Sequence, residues 1–321
     1  MKRKLACVSA LLWLVLGNEG TSLVYPAGPA GTSLAEALER ALADGWEDLR
    51  IEAECRVEGR LPRVEVFGNG VGIWNDERQF MLPREELRSL LVAFRDEGFV
   101  TMRPAYGGKG DPVTEGAQPP RLTCRVRLSL DGTSAEVVQL QGGRQSAELR
   151  RLAGRILDDC RMRAAGGIGA VDLDDGLAKV ANGVLAPEVL RVLVSRRPEG
   201  RTSREGAQGW LLRVEGPTAS LLEPGMTQPA VARLDGAETA ALARRLREDG
   251  VAGLPLNLFA EDLTDLVVRV LGHEKTVQAR RFAGATRATH GDAQARFERI
   301  LEVLGDCRER WLSRRPRERR P

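Results

Sequence analysis

Ile156-Leu157-Asp158-Asp159-Cys160-Arg161 and Val303-Leu304-Gly305-Asp306-Cys307-Arg308 are two versions of one segment. Each carries an aliphatic pair, an acid, a cysteine and an arginine in the same order. The match continues upstream. Leu87, Leu90, Leu91, Phe94, Gly98 and Phe99 correspond to Thr239, Leu242, Ala243, Leu246, Gly250 and Val251, and Leu49-Arg50-Ile51 corresponds to Leu190-Arg191-Val192. Equivalent elements recurring in one order are the mark of a duplicated structural unit. The repeat predicts two modules, residues 33–163 and 172–313, joined by a Gly-rich linker at 164–171.

The periodicity inside each module sets the fold class. Ser33 is an N-cap for a short helix to Ala43. Ile51, Ala53, Cys55 and Val57 alternate with Glu52, Glu54 and Arg56, which is the period of a half-buried strand. Val64–Phe67 and Val71–Trp74 flank Gly68-Asn69-Gly70, a tight-turn signal. Leu87, Leu90, Leu91 and Phe94 line one helix face. Cys124, Val126, Leu128 and Leu130 alternate with Arg125, Arg127 and Ser129, and Asp131-Gly132 turns the chain into a partner strand ending near Leu140. Leu149, Leu152, Ile156 and Cys160 mark a closing helix. The second module repeats this order at 174–185, 189–196, 210–215, 218–222, 236–249, 264–271, 275–283 and 292–312. Hairpin-linked strands with one polar face predict an α+β protein of two tandem divergent repeats, each an antiparallel sheet covered on one face by helices.

Composition narrows the function classes. The 321 residues are 42% hydrophobic and 29% charged, enough apolar surface for packed cores. The formal net charge is +3, which argues against a dedicated nucleic-acid binder. Arginine outnumbers lysine throughout, and its even mixing with acids reads as coding bias in a GC-rich bacterial genome. Met1-Lys2-Arg3-Lys4 precedes an apolar run from Leu5 to Leu16, the pattern of a secretory signal peptide. The run is shorter than the roughly 20 residues of a membrane-spanning helix. Residues 1–20 are therefore expected to be a leader and 21–32 a linker, leaving an exported periplasmic or extracellular protein with no transmembrane span. Residues 314–321 form a basic tail. From Arg308 onward, seven arginines oppose two glutamates, the composition of a frayed, solvated helix end.

Motifs that would carry chemistry fail on spacing. His273-Glu274 begins like a zinc-protease helix, but Val277 stands where the second histidine belongs. His273 then reads as a turn residue and His290 as part of a cap. Asp172-Leu173-Asp174-Asp175-Gly176 places its glycine one residue early for a calcium loop and has Gly183 where a glutamate is needed. Asp174 or Asp175 is expected to cap a helix instead. Gly107-Gly108-Lys109-Gly110-Asp111 lacks the Lys-Ser/Thr step into a helix that a phosphate loop requires. There is no Gly-x-Ser-x-Gly. Glu52 and Glu54 read as solvated surface. Catalytic, cofactor and metal residues are therefore all expected to be none.

Two sets of residues remain. Tyr106, on the Gly/Pro-rich stretch Pro104–Pro120, and Arg125 and Arg127, on a polar strand face, are candidate ligand or partner contacts. Cys55, Cys124, Cys160 and Cys307 fall on apolar faces and are candidates for disulfides or for buried thiols. Four cysteines allow three pairings, and full pairing would tie Cys307 to the first module. The expected function is non-catalytic, binding an unknown protein or envelope component. The alternative is an enzyme with an inter-module site built from carboxylates and arginines.

Overall fold

In a computed structural model, the described residues are 33–46, 48–57, 59–107, 122–141, 146–197, 209–223, 226, 228–260, 262–280 and 291–313. The expected leader, the 21–32 linker, the basic tail, His290 and most of Pro104–Pro120 lie outside them.

The first module runs α1 (Leu34–Asp44), β1 (Arg50–Cys55), β2 (Arg63–Phe67), β3 (Val71–Trp74), β4 (Arg78–Met81), α2 (Arg84–Asp96), β5 (Ala105–Tyr106), β6 (Leu122–Leu130), β7 (Thr133–Leu140) and α3 (Ala147–Ala164). The second runs α4 (Leu173–Ala181), β8 (Leu190–Arg197), β9 (Trp210–Glu215), β10 (Thr218–Leu222), β11 (Ala230–Arg233), α5 (Gly236–Glu248), β12 (Asn257–Leu258), β13 (Leu263–Val270), β14 (His273–Ala279) and α6 (Gly291–Ser313). The sheet orders are β4-β3-β2-β1-β6-β7-β5 and β11-β10-β9-β8-β13-β14-β12. Strand for strand they are the same, so the chain is α+β with two similar sheet modules.

Each sheet is antiparallel except at one edge, where β5 runs parallel to β7 and β12 to β14. These two-residue strands carry no alternation and escape a periodicity reading. Each is laid down as the chain leaves α2 or α5, before it returns to start the long β6 or β13, and so it runs with β7 or β14.

Local chemistry explains the boundaries. Ser33 caps α1 in a full capping box with Glu36, and Asp235 does the same for α5 with Glu238. Asp172, not Asp174 or Asp175, caps α4 by accepting from the Asp175 N–H at 2.8 Å. Asp175 instead accepts from the Val171 N–H and pairs with Lys179 one turn on. Gly98 and Gly250 both adopt left-handed backbone (φ 65°) and lead into a single 3₁₀ turn that buries Phe99 or Val251.

The inward strand positions build two cores. Ile51, Ala53, Val64, Val66, Val126 and Leu128 pack under α1, α2 and α3, while Val192, Val194, Leu212, Val214, Leu266 and Val268 pack under α4, α5 and α6. Each fully buried aliphatic side chain stabilises by roughly 1.5–3 kcal/mol relative to exposure. Two first-module residues cross the division, and Phe67 packs half-buried against the second core. Ile73 points out of the first sheet and joins the core of the second module, where it is 3% exposed. Among the described residues no helix is long and apolar enough to cross a membrane.

Cys160 and Cys307 occupy equivalent places on α3 and α6, and both are buried free thiols. Burial pushes the Cys160 thiol up to about 12, and burial likewise raises Cys307. Replacing Cys160 with serine puts a hydroxyl in a buried site, at an expected cost of about 1–3 kcal/mol, and the cost should be smaller at Cys307, where the Arg310 guanidinium that donates to Sγ at 3.3 Å can serve the hydroxyl. Chemical denaturation of the two single variants measures it. Unchanged midpoints in both would mean that neither side chain is packed.

Candidate functional site

The outward rows of the two sheets meet between the modules. Alternation places Arg50, Glu52, Arg63 and Glu65 on the outer face of β1 and β2. The β3–β4 turn holds Asn75 and Asp76 in left-handed backbone (φ 52° and 57°), which aims Asp76 at the second module. From that module, Arg191 on β8 and Arg269 on β13 sit directly across from each other in the strand pairing.

These side chains form a chain of alternating charge with an arginine at each end. Arg191 pairs with Glu65 (2.7 Å), Glu65 with Arg50, Arg50 with Glu52 (3.2 Å), Glu52 with Arg63 (3.8 Å), Arg63 with Asp76 (3.5 Å) and Asp76 with Arg269 (2.9 Å). Arg269 stands across from Arg191 in the strand pairing, so the two cationic ends of the chain come round to each other as a ring with no ion pair between them, and Arg269 also donates to the Leu271 carbonyl. Four guanidiniums thus surround three carboxylates. Glu65 is the hub: its side chain is 3% exposed and each oxygen faces an arginine from a different module. Burial alone would raise its pKa, but Arg50, Arg191 and Arg63 overcome that and hold the carboxyl below its usual range. It is therefore ionised at neutral pH. This contrasts with a general acid, which needs its proton held by a raised pKa.

Further contacts fix the same joint. Asn69 donates to Glu188 at 2.8 Å, the Gln79 side chain accepts from the Ala186 N–H at 2.6 Å, and His273 donates through Nε2 to the Ala170 carbonyl at 2.9 Å. His273, just after the β13–β14 turn, thus ties the linker to the second module. Glu52 and Glu54 are also not solvated surface: Glu52 belongs to the ring, and Glu54 accepts from Arg125 at 2.6 Å. Gln79 additionally exchanges both backbone hydrogen bonds with Ile168, so the linker crosses the outer edge of β4 through one isolated antiparallel bridge.

The three candidate contact residues are not gathered on one surface. Arg125 and Arg127 lie on the outer face of β6. Tyr106 packs against the first module's core from β5, and its hydroxyl accepts from the Arg103 N–H at 3.2 Å. Arg125 is committed to Glu54. Arg127 lies between Glu52 and Glu136 in the strand pairing, half-buried, with no ion pair to a described residue. Cys55 and Cys124 face each other across β1 and β6 and form a disulfide. The Arg56 N–H bonds to the Thr123 carbonyl next to them, so theirs is a non-hydrogen-bonded pair, where side chains approach most closely. The pairing is within the first module and does not reach Cys307. No group of three or more His, Cys, Asp and Glu side chains comes together as metal ligands among the described residues.

Sequence reasoning missed Glu65, Asp76, Arg191 and Arg269. Val64-Glu65-Val66 did show a lone acid facing away from the core, but its partners lie far along the chain, and only the joining of the modules supplies them. Compared with known proteins, the sequence matches no family model, and no curated protein matches it.

Proposed function

We propose that the protein is an exported, non-catalytic binding or envelope-associated protein in which the two modules act as one fixed platform. The observation that carries this reading is the ring itself. Its carboxylates are consumed in pairing with arginines across the joint, and the hub Glu65 is held ionised. Carboxylates so committed hold two modules together; they are poorly placed to shuttle protons. The Cys55–Cys124 disulfide favours an oxidising compartment outside the cytoplasm, in keeping with the leader-like N-terminus. Arg127, with no ion pair to a described residue, keeps its donors available on the outer face of β6 for a carboxylate or phosphate on the partner.

Capture from a solubilised envelope fraction tests this proposal. Immobilised protein should retain a component that the Arg127→Glu variant releases at equal loading. Equal capture by both would remove this face from the proposal. Turnover of a substrate by the wild-type protein in a broad hydrolase screen would move the enzyme alternative ahead of it.

A further inference from the structure

The duplication supplies an internal comparison. In the first module the row Glu52–Glu65–Ile73–Gln79 crosses β1 to β4 and ends at the sheet edge. In the second, the row Leu193–Arg213–Ser220–Val231 crosses β8 to β11 and ends at the same edge. Ile51 and Val192, one residue before each row, are matched in the sequence repeat, so Val231 is the counterpart of Gln79.

The two edges differ in what covers them. Gln79 is bonded through N–H and C=O to Ile168, with N···O distances of 2.8 Å in both directions. Gly167 makes the approach possible, since a Cβ there would lie 2.6 Å from the Gln79 carbonyl oxygen. At β11 no described strand, turn or linker pairs on the outer side. The Leu234 N–H bonds inward to the Pro217 carbonyl. By the two-residue alternation of an antiparallel ladder, the backbone groups of Val231 and Arg233 then point outward. Val231 is 38% exposed, and the Arg233 side chain turns away to Asp48 of the first module. The helix that precedes the edge-covering segment also differs. α3 ends at Ala164 and Gly166-Gly167 turn the chain onto β4, whereas α6 is 23 residues long against 18 for α3 and runs on to Ser313.

We infer that β11 is a strand-docking edge, and that its occupant is an extended segment of another polypeptide that pairs antiparallel through Val231 and Arg233. The chemistry of the occupant follows from Gly167-Ile168-Gly169: one branched aliphatic residue between small neighbours, with free backbone N–H and C=O. Affinity in such augmentation comes from main-chain hydrogen bonds, and selectivity from the alternate side chains. Leu222, also 38% exposed, ends the neighbouring strand β10 and adds apolar surface beside Val231. The site is distinct from the Arg127 face and does not depend on it.

The probe is a synthetic peptide of residues 164–171 of this chain, Ala-Ala-Gly-Gly-Ile-Gly-Ala-Val, titrated into the full-length protein and followed by amide NMR and hydrogen exchange. In the free protein the Gln79 amide should be protected and the Val231 and Arg233 amides exposed. Millimolar peptide should shift and protect Val231 and Arg233 at least several-fold. Val231→Pro, which removes an outward N–H and no inward one, should abolish that response. Val231→Lys keeps the N–H and should weaken the response, which serves as the check if the proline variant folds poorly. No response at β11, or an equal response in Val231→Pro, would overturn the inference. Concentration-dependent dimerisation lost in Val231→Pro would assign the edge to a second copy of the chain and overturn it equally.

Discussion

Glu65→Ala is expected to cost the fold about 3–5 kcal/mol, because it leaves Arg50 and Arg191 facing each other in a nearly dry joint. The effect should fall near the lower end, since Arg50 keeps Glu52 as a second partner. Glu65→Gln retains the shape and loses the charge, and should cost less. The pH dependence follows from the lowered pKa of Glu65. The stability it contributes is fully present above the unfolded carboxylate value of about 4.3, and is lost as pH falls below that through the folded value. Urea unfolding of the wild-type protein should therefore weaken more steeply below pH 4 than that of Glu65→Gln. Parallel pH profiles would show that the carboxylate is not held charged by the ring.

Loss of the Cys55–Cys124 disulfide should be of similar size. The bond spans a sequence separation of 69 residues. On chain-entropy grounds, a closed loop of that length stabilises by about 4 kcal/mol. A Cys55→Ala/Cys124→Ala double variant isolates this effect, with the lost side-chain packing as a smaller addition. Thiol titration of the denatured protein, begun after residue 20, should find Cys160 and Cys307 free before reduction, and Cys55 and Cys124 in addition after it. Four reactive thiols in unreduced protein isolated from its own cells would contradict the bond and remove its support for the proposed export.

The parts of the fold that could be read in the sequence are those set by local periodicity. The strands β1 and β6 alternate cleanly, the helices show apolar faces, and the Cys160 and Cys307 segments align the two copies, which locates β8 and β13 although each holds three apolar residues in succession. The short edge strands were less legible. β4 reads Arg78-Gln79-Phe80-Met81, with two apolar residues in succession, and β11 is four residues long behind Pro229. Both are stabilised by a neighbouring strand more than by their own pattern. The joint was not legible. Glu52 and Glu65 look like solvent-facing positions of half-buried strands, and nothing local indicates that a second sheet supplies Arg191 and Arg269. Tyr106 drew attention because it sits on a Gly/Pro-rich segment, yet its ring is part of the first module's packing. Ile73 illustrates the same limit from the apolar side: its alternation points it away from its own core, and its burial comes from the other module.

The central claim is that charge pairing across the joint fixes the two modules as one platform. A double-mutant cycle on Glu65→Gln and Arg191→Met, read by urea unfolding at pH 7 and low salt, tests it most directly. A coupling of about 1–3 kcal/mol between the two substitutions is predicted, since they share one buried pair. Additivity within about 0.5 kcal/mol would contradict it, because the residues would then contribute to stability independently.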